Sequence, residues 1–196
     1  MKRSEQAKQT KRTIFEAAVQ LIKKIGYSNV TVEEICQHAH VAKGTFYVHY
    51  RSKEDIVKES YYSNLGEYME KEYAQFLEKN TQACAREKIS CFLFLELRFA
   101  YEAGLEMTTL AYSFNMNECL NKRNSHFSKR SFANQLQRLI AASSNQQDGL
   151  SEQVLFQLFE SLIRGIMATW CFSEGDFELL ATGKEMIDSV VSQHIQ

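Results

Sequence analysis

Apolar residues return at helical spacing along almost the whole chain, and this pattern predicts an all-α protein. The clearest stripe lies within residues 8–25, where apolar side chains recur every three or four positions. Similar patterns predict further helices over 53–79, 83–103, 106–119, 125–143, 151–172 and 176–194. The sequence contains no proline, so the strongest helix breaker is missing and the prediction gains support.

Residues 31–52 predict two short helices joined by a tight turn. Thr31 and Glu34 form the T-x-x-E pattern of a capping box, which starts the first short helix. The turn falls at His40, and the second short helix spans 42–48. Two short helices that meet at a tight turn and pack on a third form the helix-turn-helix unit of DNA-binding domains.

The outward positions of the second short helix carry side chains that suit a DNA groove. Lys43 can reach a guanine edge, and Thr45 can touch a base edge or a thymine methyl group. Tyr47 can donate to a phosphate oxygen, and Gly44 and His49 share the same outward face. This second helix is therefore predicted to be the recognition helix.

The charge distribution agrees with a DNA contact near the N-terminus. Residues 1–60 contain 11 basic and 7 acidic residues, whereas residues 61–196 contain 12 basic and 17 acidic residues. A basic first third attached to an acidic remainder favours binding of nucleic acid by the first part alone.

The same stretch carries a family signature. The run GTFYVHYRSKE over 44–54, preceded by Gly26-Tyr27 and Thr31-Val32, resembles the N-terminal domain of the TetR/AcrR family of transcriptional repressors. The resemblance implies an all-α homodimer of about nine helices per chain. It implies a three-helix DNA-binding head over 1–52 and a larger ligand-binding and dimerisation bundle over 53–196.

The resemblance also implies two sets of DNA contacts. Operator phosphates are expected at Thr31, Tyr47, His49 and Lys53. Base edges are expected at Ala42, Lys43, Gly44 and Thr45.

Two positions depart from the family pattern. His40 stands where glycine is usual, and we expect a positive φ angle there, which histidine adopts at some cost. Ala42 stands where serine is common, so the recognition helix is expected to lack a side-chain cap.

The body is expected to bind a hydrophobic or amphipathic small-molecule inducer. Glu96 and Arg98 lie inside an otherwise apolar helix, and a buried charge needs a partner. On one interpretation the body contains a pocket lined by Phe92, Glu96, Phe99, Tyr112 and Met116. On the alternative, the charges form intramolecular ion pairs or lie on an exposed edge, and the apolar residues fill an ordinary core.

The last two helices carry more apolar residues than one packing face requires. With the family resemblance, this excess predicts a four-helix dimer interface built from both subunits. The predicted interface residues are Leu155, Phe159, Ile163, Gly165, Met167, Trp170, Ile187, Val190 and Val191. The alternative is a wide core face within a monomer.

Other functions find little support in the sequence. No phosphate-binding glycine loop or nucleophile motif is present, and the five cysteines form no C-x-x-C pair. We therefore expect no enzyme activity, cofactor or metal. No apolar run reaches the roughly 20 residues of a membrane span, so a cytoplasmic protein without a membrane partner is expected.

The leading hypothesis is a ligand-responsive repressor that binds a quasi-palindromic operator as a dimer and is released by its inducer. A helical protein-interaction scaffold that no longer binds DNA is the main alternative. An activator on the same fold is another.

Overall fold

The computed structural model describes residues 3–120, 131–143 and 149–195, and this part of the chain is helical with no β-strand. The all-α fold predicted from the sequence is confirmed, with nine α-helices in the described residues. They are α1 (Arg3–Ile25), α2 (Val32–His38), α3 (Lys43–His49), α4 (Lys53–Lys79), α5 (Ala85–Ala103), α6 (Leu105–Leu120), α7 (Ser131–Ala142), α8 (Glu152–Phe172) and α9 (Leu179–His194). A short 3₁₀ turn at Tyr27–Asn29 follows α1.

The helix bounds agree closely with the sequence pattern, with a few differences. The α4 helix has the predicted bounds, whereas α1 begins five residues earlier than its apolar stripe. Residues 4–7 in the extra first turns of α1 are exposed, and these turns consist mainly of good helix formers, which need no packing face to be helical. The α9 helix begins at Leu179, later than predicted, and the start of the predicted helix over 125–143 lies outside the described residues.

The described residues fall into two compact units. The first contains residues 3–64 and 103–120, and therefore α1 to α3, the start of α4, and α6. The second contains residues 65–102, 131–143 and 149–195. The boundary between head and body at residues 52 and 53 stays a prediction.

The core of the first unit holds the three head helices together. Ile14 of α1, Ile35 of α2 and Phe46 of α3 are fully buried. Tyr50, at the end of α3, is buried too, and its hydroxyl forms a hydrogen bond with the buried Ser60 hydroxyl of α4. The short helices α2 and α3 would be marginal alone, so this shared core supplies their stability.

The α6 helix belongs to the same unit as the head. The Tyr27 backbone N–H donates to Glu106 Oε1 at 2.9 Å, which joins the turn after α1 to the first turn of α6. The hydroxyls of Tyr61 and Thr108 lie 3.2 Å apart and are both buried, which joins α6 to α4. Two polar contacts thus attach α6 to elements that carry the recognition helix.

In the second unit, α9 approaches α5 closely at a glycine. A Cβ atom added at Gly183 would lie far inside contact distance of Leu97, whose side chain is fully buried. By contrast, a Cβ atom at Gly165 of α8 would meet nothing within 4 Å. Of these two glycines, Gly183 is therefore the one required for packing inside the chain.

This difference gives a matched pair of variants. We expect Gly183→Ala to lower the free energy of unfolding by about 1–3 kcal/mol, because Leu97 has no free space to move into. We expect Gly165→Ala to leave the free energy of unfolding of the single protomer unchanged or to raise it by up to about 1 kcal/mol, because no described atom of the same chain lies close to it and alanine is the better helix former. Urea denaturation measures both, and equal stabilities of the two variants would contradict the close approach.

Candidate functional site

The start of α2 is held by the capping box that the sequence predicted. Thr31 Oγ1 accepts from the Glu34 N–H at 3.2 Å, and Glu34 Oε2 accepts from the Thr31 N–H at 2.8 Å. The Thr31 hydroxyl also donates to Glu34 Oε2 at 2.8 Å, and these hydrogen bonds from Thr31 lower the pKa of the Glu34 carboxyl. Thr31 is exposed, but its hydroxyl already serves the cap, so its predicted phosphate contact would have to share this group.

The turn between α2 and α3 has the unusual backbone that was expected. His40 has a φ angle of 54°, which confirms the predicted positive value. The Val41 N–H donates to the Cys36 carbonyl at 3.0 Å, which closes the turn. Ala42 begins α3 without a side-chain hydrogen bond, as predicted, so backbone geometry and packing alone set this end of the helix.

The recognition helix α3 presents most of the predicted DNA-binding residues to solvent. Its inward side is anchored by Phe46, whose ring contacts the Tyr50 ring at a centroid distance of 5.7 Å. The exposed positions are Ala42, Lys43, Gly44 and Tyr47, and the partly exposed ones are Thr45 and His49. One segment therefore presents six of the eight predicted contact residues.

Val48 is an outward residue that the sequence interpretation missed. Its side chain is 79% exposed, the most exposed large apolar side chain of the head. It lies one helical turn after Gly44, where an added Cβ atom would meet nothing within 4 Å. Gly44 and Val48 together form an open apolar strip on α3, which the i, i+4 spacing from Gly44 could have indicated.

Lys53, at the start of α4, forms hydrogen bonds with two backbone carbonyls. Its ammonium donates to the Tyr27 carbonyl at 2.7 Å and to the Val30 carbonyl at 2.9 Å. It also lies 4.4 Å from the centre of the Tyr27 ring, and burial raises the pKa of that tyrosine to about 12. An ammonium has three protons, so one proton beyond these two bonds can serve the predicted phosphate contact.

The five predicted ligand-binding residues belong to different units. Phe92 and Phe99 are buried in the second unit, and Glu96 there is partly exposed. Tyr112 is partly exposed and Met116 is 60% exposed, both in the first unit. That these five line one pocket stays a prediction.

Arg98 forms the intramolecular ion pairs that the sequence analysis gave as the alternative. Its guanidinium pairs with Glu72 and with Glu102, the latter at 3.5 Å, and donates to the Tyr68 hydroxyl. The hydrogen bond from Arg98 lowers the pKa of the Glu72 carboxyl. The arginine charge is therefore compensated within the second unit.

Most predicted dimer-interface residues point into their own protomer. Leu155, Phe159, Ile163, Met167, Trp170, Ile187 and Val191 are buried in the single chain. Gly165 is exposed and Val190 is partly exposed. A separate set of exposed residues follows the opposite side of α8, and we name it the α8 outer stripe: Val154, Ser161, Gly165, Thr169 and Phe172.

Among the described helices, α8 is the one that is long and apolar enough to cross a membrane. One of its faces is packed inside the chain, with Leu155, Phe159 and Ile163 buried. A buried face of this kind is typical of a core helix, so its length and composition give only weak support for a membrane span.

Comparison with known proteins gives the head a family. Residues 14–60 match the family described as bacterial regulatory proteins, tetR family. The match begins within α1 and ends in the first turns of α4, so it covers the whole helix-turn-helix. The "Fatty acid metabolism regulator protein" of Bacillus subtilis (strain 168) is 26% identical over 193 residues, which are 91% of this chain and 92% of that protein.

Solved structures share the fold over nearly the full length. The fatty acid degradation regulator FadR from Bacillus halodurans has a TM-score of 0.67 at 21% identity, covering 92% of this chain and 93% of its own. The FadR of Bacillus subtilis, solved in complex with stearoyl-CoA, has a TM-score of 0.55 at 21% identity, covering 93% of this chain and 98% of its own. The helix-turn-helix head of this chain therefore matches the tetR family of bacterial regulatory proteins, and the chain as a whole shares the fold of these solved regulators.

Proposed function

We propose that this protein is a ligand-responsive transcriptional repressor that binds a quasi-palindromic operator as a homodimer. The observation that carries the proposal is the recognition helix α3, with Phe46 buried beneath it and Lys43, Gly44 and Tyr47 exposed. Lysine and tyrosine suit guanine edges and phosphates, and the small glycine allows close approach to the groove. Such a regulator acts in the cytoplasm, where bacterial DNA lies.

A second copy of the chain is the partner that the α8 outer stripe suits best. The stripe combines an 84% exposed Phe172 with small residues such as Gly165, which allow helices of two subunits to approach closely. Two heads related by a two-fold axis would meet successive major grooves about 34–36 Å apart. The proposed interface therefore consists of the α8 outer stripe, in which Gly165 is the one residue also predicted from the sequence. The predicted interface residues that are buried in the single chain pack beneath the stripe inside their own protomer.

A fatty-acyl thioester of coenzyme A is the proposed signal. Support comes from the relative named as a fatty acid metabolism regulator, which aligns over 91% of this chain, and from the related structure that holds stearoyl-CoA. A ligand changes an equilibrium only through its different affinity for two states. The acyl thioester would favour the state in which the two heads no longer match the operator, and DNA would be released.

The DNA interface can be tested with two lysines of similar setting. Lys43 on α3 and Lys71 on α4 are 59% and 64% exposed, and each forms one ion pair with a glutamate, Glu33 and Glu72. We expect Lys43→Ala and Tyr47→Ala each to weaken binding to the chain's own upstream DNA by about 1–3 kcal/mol. We expect Lys71→Ala, with the same change of charge, to leave binding unchanged.

Mobility-shift titrations at several salt concentrations measure these effects. Unchanged binding by both head variants would refute the proposed interface. A wild-type protein without salt-sensitive binding to any genomic fragment would favour the scaffold alternative instead. Deleting the gene separates a repressor from an activator, because transcription of the target should rise for a repressor.

A further inference from the structure

The second unit contains a groove of about 1060 Å³ that the family signature does not explain. It lies between the end of α4, the connection over residues 80–83, the start of α5, and one face of α9. Its volume is slightly above the range of roughly 300–1,000 Å³ that is usual for small-molecule sites. None of the five ligand-binding residues predicted from the sequence lies in its wall.

One part of the groove wall is aromatic and stacks on a buried tyrosine. Phe76 and Phe94 line the groove, and Phe76 stacks on Tyr73 at a centroid distance of 6.1 Å. Tyr73 is only 5% exposed, and its buried hydroxyl has no hydrogen-bond partner among the described residues. Its ring also meets Phe92 edge to face at 5.2 Å. Buried hydroxyls are usually hydrogen-bonded, and a ligand that enters beside Phe76 can supply the missing acceptor.

The rim of the groove is basic, although residues 61–196 as a whole are acidic. Lys79 and Arg86 both line it, and within the described part of the chain neither forms an ion pair. The Arg86 Nε–H donates to the Ile195 carbonyl at 3.1 Å, which holds the guanidinium at the groove.

The acidic residues of the rim are already engaged with other groups. Glu87 accepts from the Cys84 backbone N–H at 2.8 Å, and that hydrogen bond lowers the pKa of the glutamate. Asp188 is paired with Lys184, four residues before it on α9. Neither carboxylate forms an ion pair with Lys79 or Arg86, so these two cations are available to an anion from outside.

We infer that this groove binds the phosphate-bearing part of an amphipathic ligand. Arg86 and Lys79 hold the phosphate oxygens, since a guanidinium matches a phosphate with paired hydrogen bonds and an ammonium adds a point charge. Phe76 and Phe94 take the adjoining apolar part, and the Tyr73 hydroxyl gives a polar contact deeper in. The inference rests on the proposed function in one respect, because an acyl thioester of coenzyme A would supply these phosphates.

Calorimetric titration of the whole chain tests the inference with three probes. Stearoyl-CoA carries both tail and phosphates, coenzyme A lacks the tail, and stearate lacks the phosphates. The variants are Lys79→Gln, Arg86→Gln and the double change, with Lys71→Gln as the control on α4 outside the groove. Lys79 makes no hydrogen bond or ion pair within the described residues, so its replacement leaves the fold intact even if Arg86→Gln does not.

Each single change is expected to weaken binding of stearoyl-CoA and of coenzyme A about tenfold, and the double change about a hundredfold. Stearate binding, and operator binding without ligand, should stay at wild-type levels, as should every property of Lys71→Gln. Stearoyl-CoA affinity of the Lys79→Gln and double variants equal to that of the wild type would overturn the inference.

A different outcome would separate this inference from the proposed signal. If the wild type neither binds stearoyl-CoA nor releases DNA with it, the proposed signal is wrong, and vesicles of dioleoyl phosphatidylglycerol become the probe. Vesicle binding that is lost in the double variant would support a phosphate site for a lipid headgroup. Equal vesicle binding by wild type and variant, or none by either, would overturn the groove assignment.

Discussion

Phe46→Ala is expected to lower the free energy of unfolding of the head by about 3–5 kcal/mol and to abolish operator binding. The Phe46 side chain is 0% exposed and lies under α3, where its ring contacts the rings of Tyr47 and Tyr50. A seven-residue helix has too few internal hydrogen bonds to persist without this contact. Urea denaturation and mobility shifts of the same preparation measure both losses.

Val48→Ala is the matched control on the same helix. Its side chain is 79% exposed, so we expect a change in stability within about 0.5 kcal/mol. A wild-type unfolding midpoint for Phe46→Ala would show that α3 is not held by this residue. A large loss of stability for Val48→Ala would show that the strip of Gly44 and Val48 is packed, not open.

Lys53→Met is expected to destabilise the first unit by about 2–4 kcal/mol. The change removes two charged hydrogen bonds to the carbonyls of Tyr27 and Val30. Hydrogen bonds to charged groups contribute about 1.5–3 kcal/mol each, and the two together are expected to contribute less than their full sum because Lys53 is partly exposed and water can reach the carbonyls once the ammonium is gone. Methionine keeps part of the apolar stem over the Tyr27 ring, so the loss of stability comes mainly from removing the ammonium. Chemical denaturation gives the size of the effect.

The salt dependence of operator binding separates the structural role of Lys53 from a phosphate contact. If the remaining proton of the ammonium binds DNA, the methionine variant should show a slope of log affinity against log salt that is smaller by about 1. If the slope is unchanged but stability is reduced, Lys53 stabilises the fold and does not contact a phosphate. Lys53→Arg keeps the charge and several donors, and it should recover most of the lost stability.

The features that the sequence predicted well depend on neighbouring residues. The capping box of Thr31 and Glu34 needs residues three positions apart, and the positive φ angle of His40 follows from one tight turn. The start of α4 follows from Ser52, whose hydroxyl accepts from the Asp55 N–H at 3.4 Å, and its length from a long run without proline. Such interactions are complete within one or two turns, so the order of residues is enough to reveal them.

The features that escaped prediction depend on residues far apart in the chain. Lys53 meets carbonyls 23 and 26 positions earlier, and Arg98 meets Glu72, 26 positions earlier. No periodic pattern encodes those partners. The apolar residues of α8 posed a related problem, because periodicity shows that a helix has two apolar faces but not which one packs inside its own chain.

The open strip of Gly44 and Val48 has a consequence for the chemical state of the operator. The C5 methyl group of thymine is the feature that an apolar side chain recognises in the major groove. A methylated cytosine carries its methyl group at the same ring carbon, and uracil lacks one. A recognition helix that relies on Val48 for contact would therefore respond to cytosine methylation of its site, so enzymes that modify DNA would influence repression without any change of base sequence.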